Sequence, residues 1–493
     1  MHVTTLNGER RFSQPERHIR RGVGAWLLIV AAAHAGLVAA AVAEETARPN
    51  VILCMADDMG WGDPGFNGGE IIQTPHLDAM AAAGLKFNRF YSAAPVCSPT
   101  RGSCLTGRHP YRYGVFGANS GHLRAGENSL AELLKQEGYQ TGHFGKWHLG
   151  TLSPDFSGKG PRRQPKQNYM TPGMRGFDEW FSTEYAVATW DPYDPAHLHE
   201  RGPWDPRVLY WKNGRNITEG PSGDDSRIIM DQAMPFIQTA AKRDQPFLAV
   251  VWFHAPHIPV IGGPRYRELY ASHDPQARHY YACITALDEQ MGRLRAGLRK
   301  LGVAENTMLW FCSDNGPTQR GRRMLGQPTV DHPFGSAGHF RGYKGSLYEG
   351  GVRVPGLLEW PSRVAAGGVT EVAAVTSDYL PTILDALEID LPDKRPLDGI
   401  SLLPLIEGRM TDRAKPIGFQ SRQQAAWSDD RYKLVSNDSG RQFELYDLVA
   451  DPGESQDLAG EQPDRVARMN EALREWQASC RTSLDKGAPS DSN

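Results

Sequence analysis

Three short apolar runs, each followed by polar side chains, constrain the fold of this chain more than any other feature. They read NVILCMADD (50–58), FLAVVWFHAPH (247–257) and NTMLWFCSDNG (306–316). Runs that are apolar at nearly every position are typical of strands buried on both faces of a parallel sheet. Because ligands of such sheets bind beyond the carboxyl ends of the strands, the polar endings are predicted to be functional.

Helical patterns lie between these runs. Residues 74–87 begin with Thr-Pro and reach Gly84, and residues 129–139 follow the same pattern. Residues 279–302 form a long amphipathic stretch that ends in glycine. Strands that alternate with helices predict an α/β fold, with a large, mainly parallel or mixed central sheet flanked by helices.

The pattern changes near residue 370, which predicts a main domain over 46–370 and a smaller C-terminal subdomain over 371–480. Two strand-like stretches around a turn, 425–436 and 441–454, predict that this subdomain contains a small antiparallel sheet beside a helix. We expect residues 481–493 to form a disordered tail.

The first 43 residues have the pattern of an export signal. Five arginines precede an apolar run, 25–43, which ends in Ala-Val-Ala before Glu44. We therefore expect residues 1–43 to be a cleaved signal peptide and the protein to be secreted or periplasmic, with a retained membrane anchor as the alternative. Nothing later in the sequence resembles a membrane span.

Composition excludes some classes of partner and site. A formal charge of −3 gives no reason to expect a nucleic acid partner, so any affinity for anions must come from a local cluster. Six cysteines are too few for a disulfide scaffold in 493 residues, and none has zinc-site spacing. Residues 151–230 are rich in proline, glycine and aromatic residues, which predicts long loops over a pocket. The aromatic side chains expected to stack on a ligand there are Trp190, Tyr193, Trp204 and Trp211.

Oxygen-bearing side chains follow two of the apolar runs. Asp57 and Asp58 come after the first, and Asp314 and Asn315 come after the third. Carboxylate and amide oxygens suit Ca²⁺ or Mg²⁺, and adjacent carboxylates repel each other when no cation lies between them. The alternative is that each aspartate caps a turn.

Basic side chains lie in glycine-rich or strand-end segments. Lys146 and His148 belong to GKWHLG, His254 and His257 follow the second apolar run, and Lys344 belongs to GYKGSLYEGGVRVP. Glycine neighbours let the backbone approach a ligand closely, which favours a close-fitting anion site. A single lysine is more often solvated, and a tight turn also explains the glycines.

One stretch, CSPTRG (97–102), resembles the C-x-P-x-R signature of the sulfatase family, although by itself it indicates only a flexible, turn-rich, basic segment. Other stretches are similar to sulfatase motifs and occur in the family's order: NVILCMADDMGWGD, GKWHLG, APHIP, SDNG, GYKGSLYEGGVRVP and ELYDLVADPGE. The resemblance implies an alkaline-phosphatase-like fold and sulfuric ester hydrolase activity. It also implies that a formylglycine-generating enzyme oxidises Cys97 to formylglycine.

The resemblance assigns roles residue by residue. The hydrated formylglycine at position 97 would attack sulfur and form a sulfated enzyme. A divalent cation, Ca²⁺ rather than Mg²⁺, would be held by Asp57, Asp58, Asp314, Asn315 and residue 97. Arg101, Lys146 and Lys344 would place positive charge on the sulfuryl oxygens. His257 would protonate the leaving alkoxide, and His148 would take a proton from the second hydroxyl.

The aromatic and basic loops favour a sulfated carbohydrate over an aryl sulfate as the substrate. We expect His339 and Arg341 to bind it, and His254 either to line the substrate pocket or to orient His257. The basic stretch 319–324 and His332 are expected to contact further anionic groups. Two alternatives remain open: a phosphonate or phosphodiester hydrolase of the same superfamily, and a non-catalytic glycan-binding protein.

Overall fold

The computed structural model describes residues 48–159, 163–197, 207, 209–318 and 334–486. The signal peptide, the basic stretch 319–324, Trp204 and His332 lie outside these residues. Within the described ranges, no helix has both the length and the apolar character that crossing a membrane requires.

The described residues form three β-sheets. In chain order, the strands are β1 (Asn50–Ala56), β2 (Leu85–Phe87), β3 (Phe90–Tyr91), β4 (Gln140–Lys146), β5 (Glu179–Thr183), β6 (Trp211–Lys212), β7 (Arg215–Asn216), β8 (Phe247–Trp252), β9 (Thr307–Ser313), β10 (Arg353–Val354), β11 (Gly356–Glu359), β12 (Gly368–Thr370), β13 (Ala374–Val375), β14 (Ile417–Ser421), β15 (Gln424–Ser428), β16 (Tyr432–Ser436) and β17 (Glu444–Asp447). The central sheet has the order β12-β2-β11-β9-β1-β8-β4-β5-β6-β7, and the smaller sheets have the orders β10-β3-β13 and β14-β15-β16-β17.

The described residues form eleven α-helices. In chain order they are α1 (Pro75–Ala83), α2 (Cys97–Thr106), α3 (Pro110–Tyr113), α4 (Leu130–Gln136), α5 (Asp225–Lys242), α6 (Pro264–Glu268), α7 (Pro275–Lys300), α8 (Glu349–Val352), α9 (Tyr379–Ala386), α10 (Leu403–Ile406) and α11 (Pro463–Lys486). The three predicted helices are confirmed as α1, α4 and α7. Helix α7 begins before residue 279 because the side chain of Asp274 accepts hydrogen bonds from the backbone of Gln276 and Ala277.

The centre of the large sheet is parallel, as predicted. Strand β1 pairs in parallel with β8 and β9, and β4 pairs in parallel with β8. Val51, Leu53 and Met55 pack into the apolar cluster on one face, whereas Ile52 and Cys54 pack into the cluster on the other. Burial on both faces explains the continuous apolar run. Antiparallel pairing begins with β11 on one side and β6 on the other, so the sheet is mixed.

The four-stranded sheet confirms the predicted antiparallel sheet near the C-terminus. Helix α11 packs against it and continues to Lys486, six residues into the predicted disordered tail. These residues are ordered by contacts: Nη1 of Arg112 donates to Ser479 at 2.9 Å and to Ser483 at 3.1 Å. Nη1 of Arg124 donates to the carbonyl oxygen of Leu484 at 3.1 Å. Residues 487–493 lie outside the described part.

The start of helix α5 gives a prediction about stability. Asp224 is 2 % exposed and accepts a hydrogen bond from the backbone of Arg227 at 3.1 Å. Burial, and then the charge of Asp225, raise the pKa of Asp224 from 3.8 to about 8. Because the unfolded carboxyl ionises near its ordinary pKa, folding at higher pH requires uptake of a proton, and this cost grows until the pH reaches the folded pKa.

Asparagine keeps the capping oxygen without titrating. We expect Asp224→Asn to raise the free energy of unfolding by about 1–3 kcal/mol at about pH 8 and to leave it nearly unchanged at about pH 4. Urea unfolding at the two pH values measures the difference, with the exposed Asp231→Asn on the same helix as the control. An equal effect at both pH values would contradict the raised pKa.

Candidate active site

The carboxyl ends of β1 and β9 bring four oxygen-bearing side chains together. Asp57 and Asp58 follow β1, and Asp314 and Asn315 follow its parallel neighbour β9. The backbone N–H of Asp58 donates to Oδ1 of Asp314 at 3.2 Å, and Nδ2 of Asn315 donates to Oδ1 of Asp58 at 2.7 Å. The four side chains predicted to bind a metal therefore lie in one cluster.

The cluster has the donors of a metal site. Two groups of described residues have ligand atoms that all lie within 4.8 Å of one another. One is Asp57, Asp58 and His257, and the other is Asp57, Cys97 and Asp314. Oδ1 of Asp57 and Oδ1 of Asn315 are buried and have no hydrogen-bond partner among the described residues. Buried oxygens without a partner are costly, and a hard divalent cation removes that cost. The residues present thus fit a metal ion.

Two lysines pair with these carboxylates. Nζ of Lys146, at the end of β4, contacts Asp57, and Nζ of Lys344 contacts Asp58. Burial alone would raise the pKa of Asp57, but the charges of Lys146 and other nearby cations lower it below its ordinary value. Burial alone would lower the pKa of Lys344, but Asp58 raises it above its ordinary value. These shifts keep Asp57 and Lys344 charged at neutral pH.

Arg101 lies behind the carboxylates. It is fully buried, and its Nη2 lies 2.7 Å from Oδ2 of Asp314 and 3.3 Å from Oδ2 of Asp57. Burial, and then the charge of Asp57, raise the pKa of Asp314 to about 7. Arg101 thus holds the two acids in place. The resemblance had instead assigned Arg101 to the sulfuryl oxygens.

The segment predicted to be turn-rich and flexible forms helix α2 instead. Its first residue, Cys97, is 2 % exposed, and every residue of the helix is buried. Pro99 lies in the first turn, where backbone N–H groups have no intrahelical partner. Gly107 ends the helix with φ of +66°. Cys97 and Arg101 are four residues apart, so they lie on the same helix face, towards the strand ends.

A cavity of about 680 Å³ borders the cluster, and Asp58, His257 and Lys344 are among the described residues on its wall. Nδ1 of His257 donates to the carbonyl oxygen of Ile258 at 2.6 Å, and Nε2 lies 3.9 Å from Oδ2 of Asp58. Burial lowers the pKa of His257 to about 3, so the ring is neutral at neutral pH in this structure. Its Nε2 is therefore the nitrogen available for proton transfer.

His148 is held by a residue that the sequence did not indicate. Its Nε2 donates to Oδ1 of Asn119 at 2.7 Å, while Nδ1 is buried without a hydrogen-bond partner in the described part of the chain. Burial, and then the charge of Lys146, lower the pKa of His148 well below its ordinary value. Asn119 also lines the cavity. Its segment, GANSG, reads only as a turn.

His254 lies away from the cavity wall. It is fully buried, its Nε2 lies 2.7 Å from Oγ1 of Thr183, and its Nδ1 lies 2.7 Å from Oδ2 of Asp225. Both ring nitrogens are occupied, so neither is free for a ligand. The structure places His254 behind the cavity wall. The substrate contact that the sequence predicted for it is therefore not seen.

Comparisons with known proteins identify the family. The family model described as Sulfatase matches residues 49–389. The chain belongs to the sulfatase family. A second model, described as N-sulphoglucosamine sulphohydrolase, C-terminal, matches residues 335–479. Sulfuric ester hydrolysis is therefore the activity of this enzyme.

Two kinds of similar protein illustrate the relationship. N-acetylgalactosamine-6-sulfatase of Mus musculus is 34% identical over 407 residues, which cover 78% of this chain and 71% of the relative. Arylsulfatase G of Mus musculus is 33% identical over 388 residues, which cover 73% and 69%.

Solved structures support the fold of this sulfatase. The crystal structure of Ps i-CgsB in complex with k-i-k-neocarrahexaose has a TM-score of 0.75 and 25% identity, and covers 88% of this chain and 94% of that chain. The phosphonate monoester hydrolase of Agrobacterium radiobacter has a TM-score of 0.62 at 22% identity, covering 88% and 96%, and shares the fold alone.

The other residues predicted to bind substrate, His339 and Arg341, do not line the cavity that borders the cluster of this sulfatase. Arg341 lines a second cavity, of about 820 Å³, which shares Lys344 with the first. Its Nη1 donates to the hydroxyl of Tyr446 at 2.7 Å. His339 is exposed and packs edge-on against Trp61, with 5.8 Å between ring centroids. It lines neither of these two cavities.

The described aromatic residues of 151–230 also lie outside the walls of both cavities. Trp190 pairs with Asp224 through a backbone bridge, the hydroxyl of Tyr193 donates to the carbonyl oxygen of Ile217 at 2.9 Å, and Trp211 belongs to β6. These side chains support the scaffold, so the stacking role predicted for them is not seen in the described residues.

The turn between β14 and β15 reaches the active site, which sequence reasoning missed. Arg422 and Gln424 line both cavities. Nε2 of Gln424 donates to the carbonyl oxygen of Gly345 at 2.7 Å, and its Oε1 accepts from the backbone of Leu347 at 3.1 Å. The four-stranded sheet therefore holds the segment that carries Lys344. The sequence gives no signal of a contact between residues 79 apart.

A buried charge network joins the same two parts of the sulfatase. Nζ of Lys433 lies 2.8 Å from Oε1 of Glu349 and 3.1 Å from Oε1 of Glu454. The backbone N–H of Glu349 donates to Oε2 of Glu454 at 2.6 Å. All three side chains are fully buried, and Glu349 also pairs with Arg353 at 3.3 Å, so loss of Lys433 would leave buried carboxylates short of positive charge.

Proposed function

We propose that this sulfatase hydrolyses sulfate esters of a sulfated carbohydrate. The observation that carries the proposal is the convergence of Asp57, Cys97 and Asp314 within 4.8 Å, beside buried oxygens that have no partner in the described residues. Relatives named for N-acetylgalactosamine-6-sulfate and a similar structure containing neocarrahexaose support the carbohydrate class. We also propose export through residues 1–43, and division of the mature chain into 46–370 and 371–480.

For the cofactor we propose Ca²⁺, and for residue 97 conversion to formylglycine by a partner enzyme. The proposed metal ligands are Asp57, Asp58, Asp314, Asn315 and residue 97. A donor set dominated by oxygens favours Ca²⁺ over transition metals. When present, the cation neutralises the charge of the sulfate group and the formylglycine hydrate supplies a hydroxyl nucleophile.

In this proposal one cation binds the sulfate group directly, and two others act on it through carboxylates. Lys344 faces the cavity and carries a full charge, so it contacts the sulfuryl oxygens in this proposal. Arg101 and Lys146 act through the carboxylates that they contact. Fixed charges in a site with little water are expected to supply the largest part of the rate enhancement.

Two histidines transfer protons in this proposal, one at the nucleophile and one at the leaving group. His148 is neutral, and its buried Nδ1 has no partner in the described chain. It can therefore accept a proton from the second hydroxyl of residue 97. His257 delivers a proton to the leaving alkoxide through Nε2. The negative charge of a bound sulfate ester raises the pKa of His257 from its low value in the free site, and so allows it to take up that proton.

The leaving-group role of His257 gives a prediction. We expect His257→Ala to lower kcat by roughly 10²–10⁴-fold for sugar sulfates, whose alkoxides need a proton, and by less than about tenfold for 4-nitrophenyl sulfate. Steady-state kinetics on the two substrates measure the ratio. Equal losses on both would mean that His257 does not protonate the leaving group.

The proposed function is tested by comparing ester classes with the purified enzyme and Ca²⁺. We expect kcat/KM for a sulfate ester, from a panel of sugar sulfates and 4-nitrophenyl sulfate, to exceed that for bis-4-nitrophenyl phosphate by about 100-fold or more. A preference for the phosphodiester, or sugar binding without turnover of any sulfate ester, would overturn the proposal.

A further inference from the structure

A third cavity, of about 270 Å³, lies between the β14–β15 turn and helix α11. We call it the hairpin groove, and define it by Arg422, Gln423, Phe443, Asn470, Arg474 and Arg481. Arg422 and Gln424 line this groove as well as the two cavities that contain Lys344. The groove therefore adjoins the active-site cavity at the β14–β15 turn.

The groove is positively charged. Arg422, Arg474 and Arg481 are exposed and form no ion pair with a described residue. Arg474 and Arg481 are seven residues apart, so both project from one face of α11. None of the described residues that line the groove is acidic. Three arginine charges without counterions favour a ligand that carries several anionic groups.

The remaining wall is suited to hydroxyl groups. It contains the amides of Gln420, Gln423 and Gln477 and the ring of Phe443. Oδ1 of Asn470 is buried there without a hydrogen-bond partner in the described chain. Amides both donate and accept hydrogen bonds, and an aromatic ring offers a flat apolar face, so together they match a sugar ring with hydroxyl substituents.

Arg422 occupies a strained backbone position. Its φ is +55°, in the left-handed region where hairpin turns favour glycine, asparagine or aspartate. An arginine there costs stability, which points to a function for its side chain. Its position on the walls of all three cavities fits contact with a group between the active site and the groove.

We propose that the hairpin groove binds the sugar units next to the one whose sulfate is hydrolysed, so that this sulfatase acts on a chain of anionic sugars. Arg422 contacts the sulfate or carboxylate of the neighbouring unit, and Arg474 and Arg481 contact that of the unit beyond. The inference rests on the proposed function, because it takes the cluster at Asp57 as the position of the reacting sugar.

Binding of size-defined oligosaccharides tests the groove independently of turnover. Chondroitin 6-sulfate and κ-carrageenan di-, tetra- and hexasaccharides are titrated calorimetrically into Ca²⁺-loaded Cys97→Ala enzyme. We expect affinity to rise with length in at least one series. We expect the ratio of hexasaccharide to disaccharide affinity to fall about tenfold in Arg474→Gln/Arg481→Gln.

The control is Arg468→Gln/Lys486→Gln, which removes the same charge from exposed positions of α11 outside the groove, and should keep the wild-type ratio. The proposal for the groove would be overturned if affinity did not rise with length in either series. It would also be overturned if the affinity ratio fell equally in both double variants. Failure of wild-type enzyme to hydrolyse any sulfate ester would instead overturn the proposed function. The binding measurements would still show whether the groove holds sugar units.

Discussion

Replacing Cys97 with alanine is expected to lower kcat for sulfate-ester hydrolysis by at least about 10⁴-fold, because the variant loses the proposed nucleophile while the cations around it remain. The fold should persist, since the change only shortens one small side chain at a buried position and a typical substitution costs about 1 kcal/mol. Steady-state kinetics and the thermal midpoint measure the two effects.

The matched control is Cys104→Ala, which makes the same cysteine-to-alanine change at a fully buried position of helix α2. It should keep activity within about twofold of wild type. Mass spectrometry of the peptide that holds residue 97 should find an aldehyde in place of the thiol in active wild-type enzyme. Activity near wild type in Cys97→Ala would refute the nucleophile.

Changing Asp314 to asparagine is expected to lower kcat/KM by about 10³-fold and to abolish stabilisation by Ca²⁺. The substitution removes a charge from the oxygen cluster and takes from Arg101 its nearest carboxylate. A ligand at 100 times its Kd stabilises a folded protein by about 2.7 kcal/mol, so wild type should melt several degrees higher with Ca²⁺ than with a chelator.

The control for this change is Asp231→Asn, which removes a carboxylate from the exposed face of helix α5. Its ion pair with Arg293 is exposed, so it should match wild type in both activity and response to Ca²⁺. If Asp314→Asn still melts higher with Ca²⁺ by the same margin as wild type, then Asp314 is not a ligand of the stabilising ion.

The sequence alone predicted the oxygen-bearing side chains that lie at the carboxyl ends of the strands. Asp57 and Asp314 follow apolar runs that are buried on both faces, and parallel pairing brings the ends of such strands together. The predicted α/β fold with a mixed sheet is confirmed for the same reason, because period and composition alone identify the central strands.

Other features depend on packing that no local pattern reports. The segment after Val96 has turn-forming residues but forms a buried helix, since tertiary burial outweighs propensity. His254 follows a strand just as His257 does, yet its ring meets Thr183 and Asp225 from distant segments. Arg422 reaches the active site only because the four-stranded sheet lies against the Lys344 segment.

The contacts that Gln424 makes with Gly345 and Leu347, and the network around Lys433, limit how this enzyme can be recombined with its relatives. A chimaera that joins its first 370 residues to another protein's carboxyl-terminal portion would take Lys433 from the buried Glu349 and leave Arg353 as its described counter-charge. Removing one partner of a buried ion pair costs up to about 3–5 kcal/mol. Chimaeras that fold should therefore take the segment around Lys344 and the β14–β15 hairpin from the same parent protein.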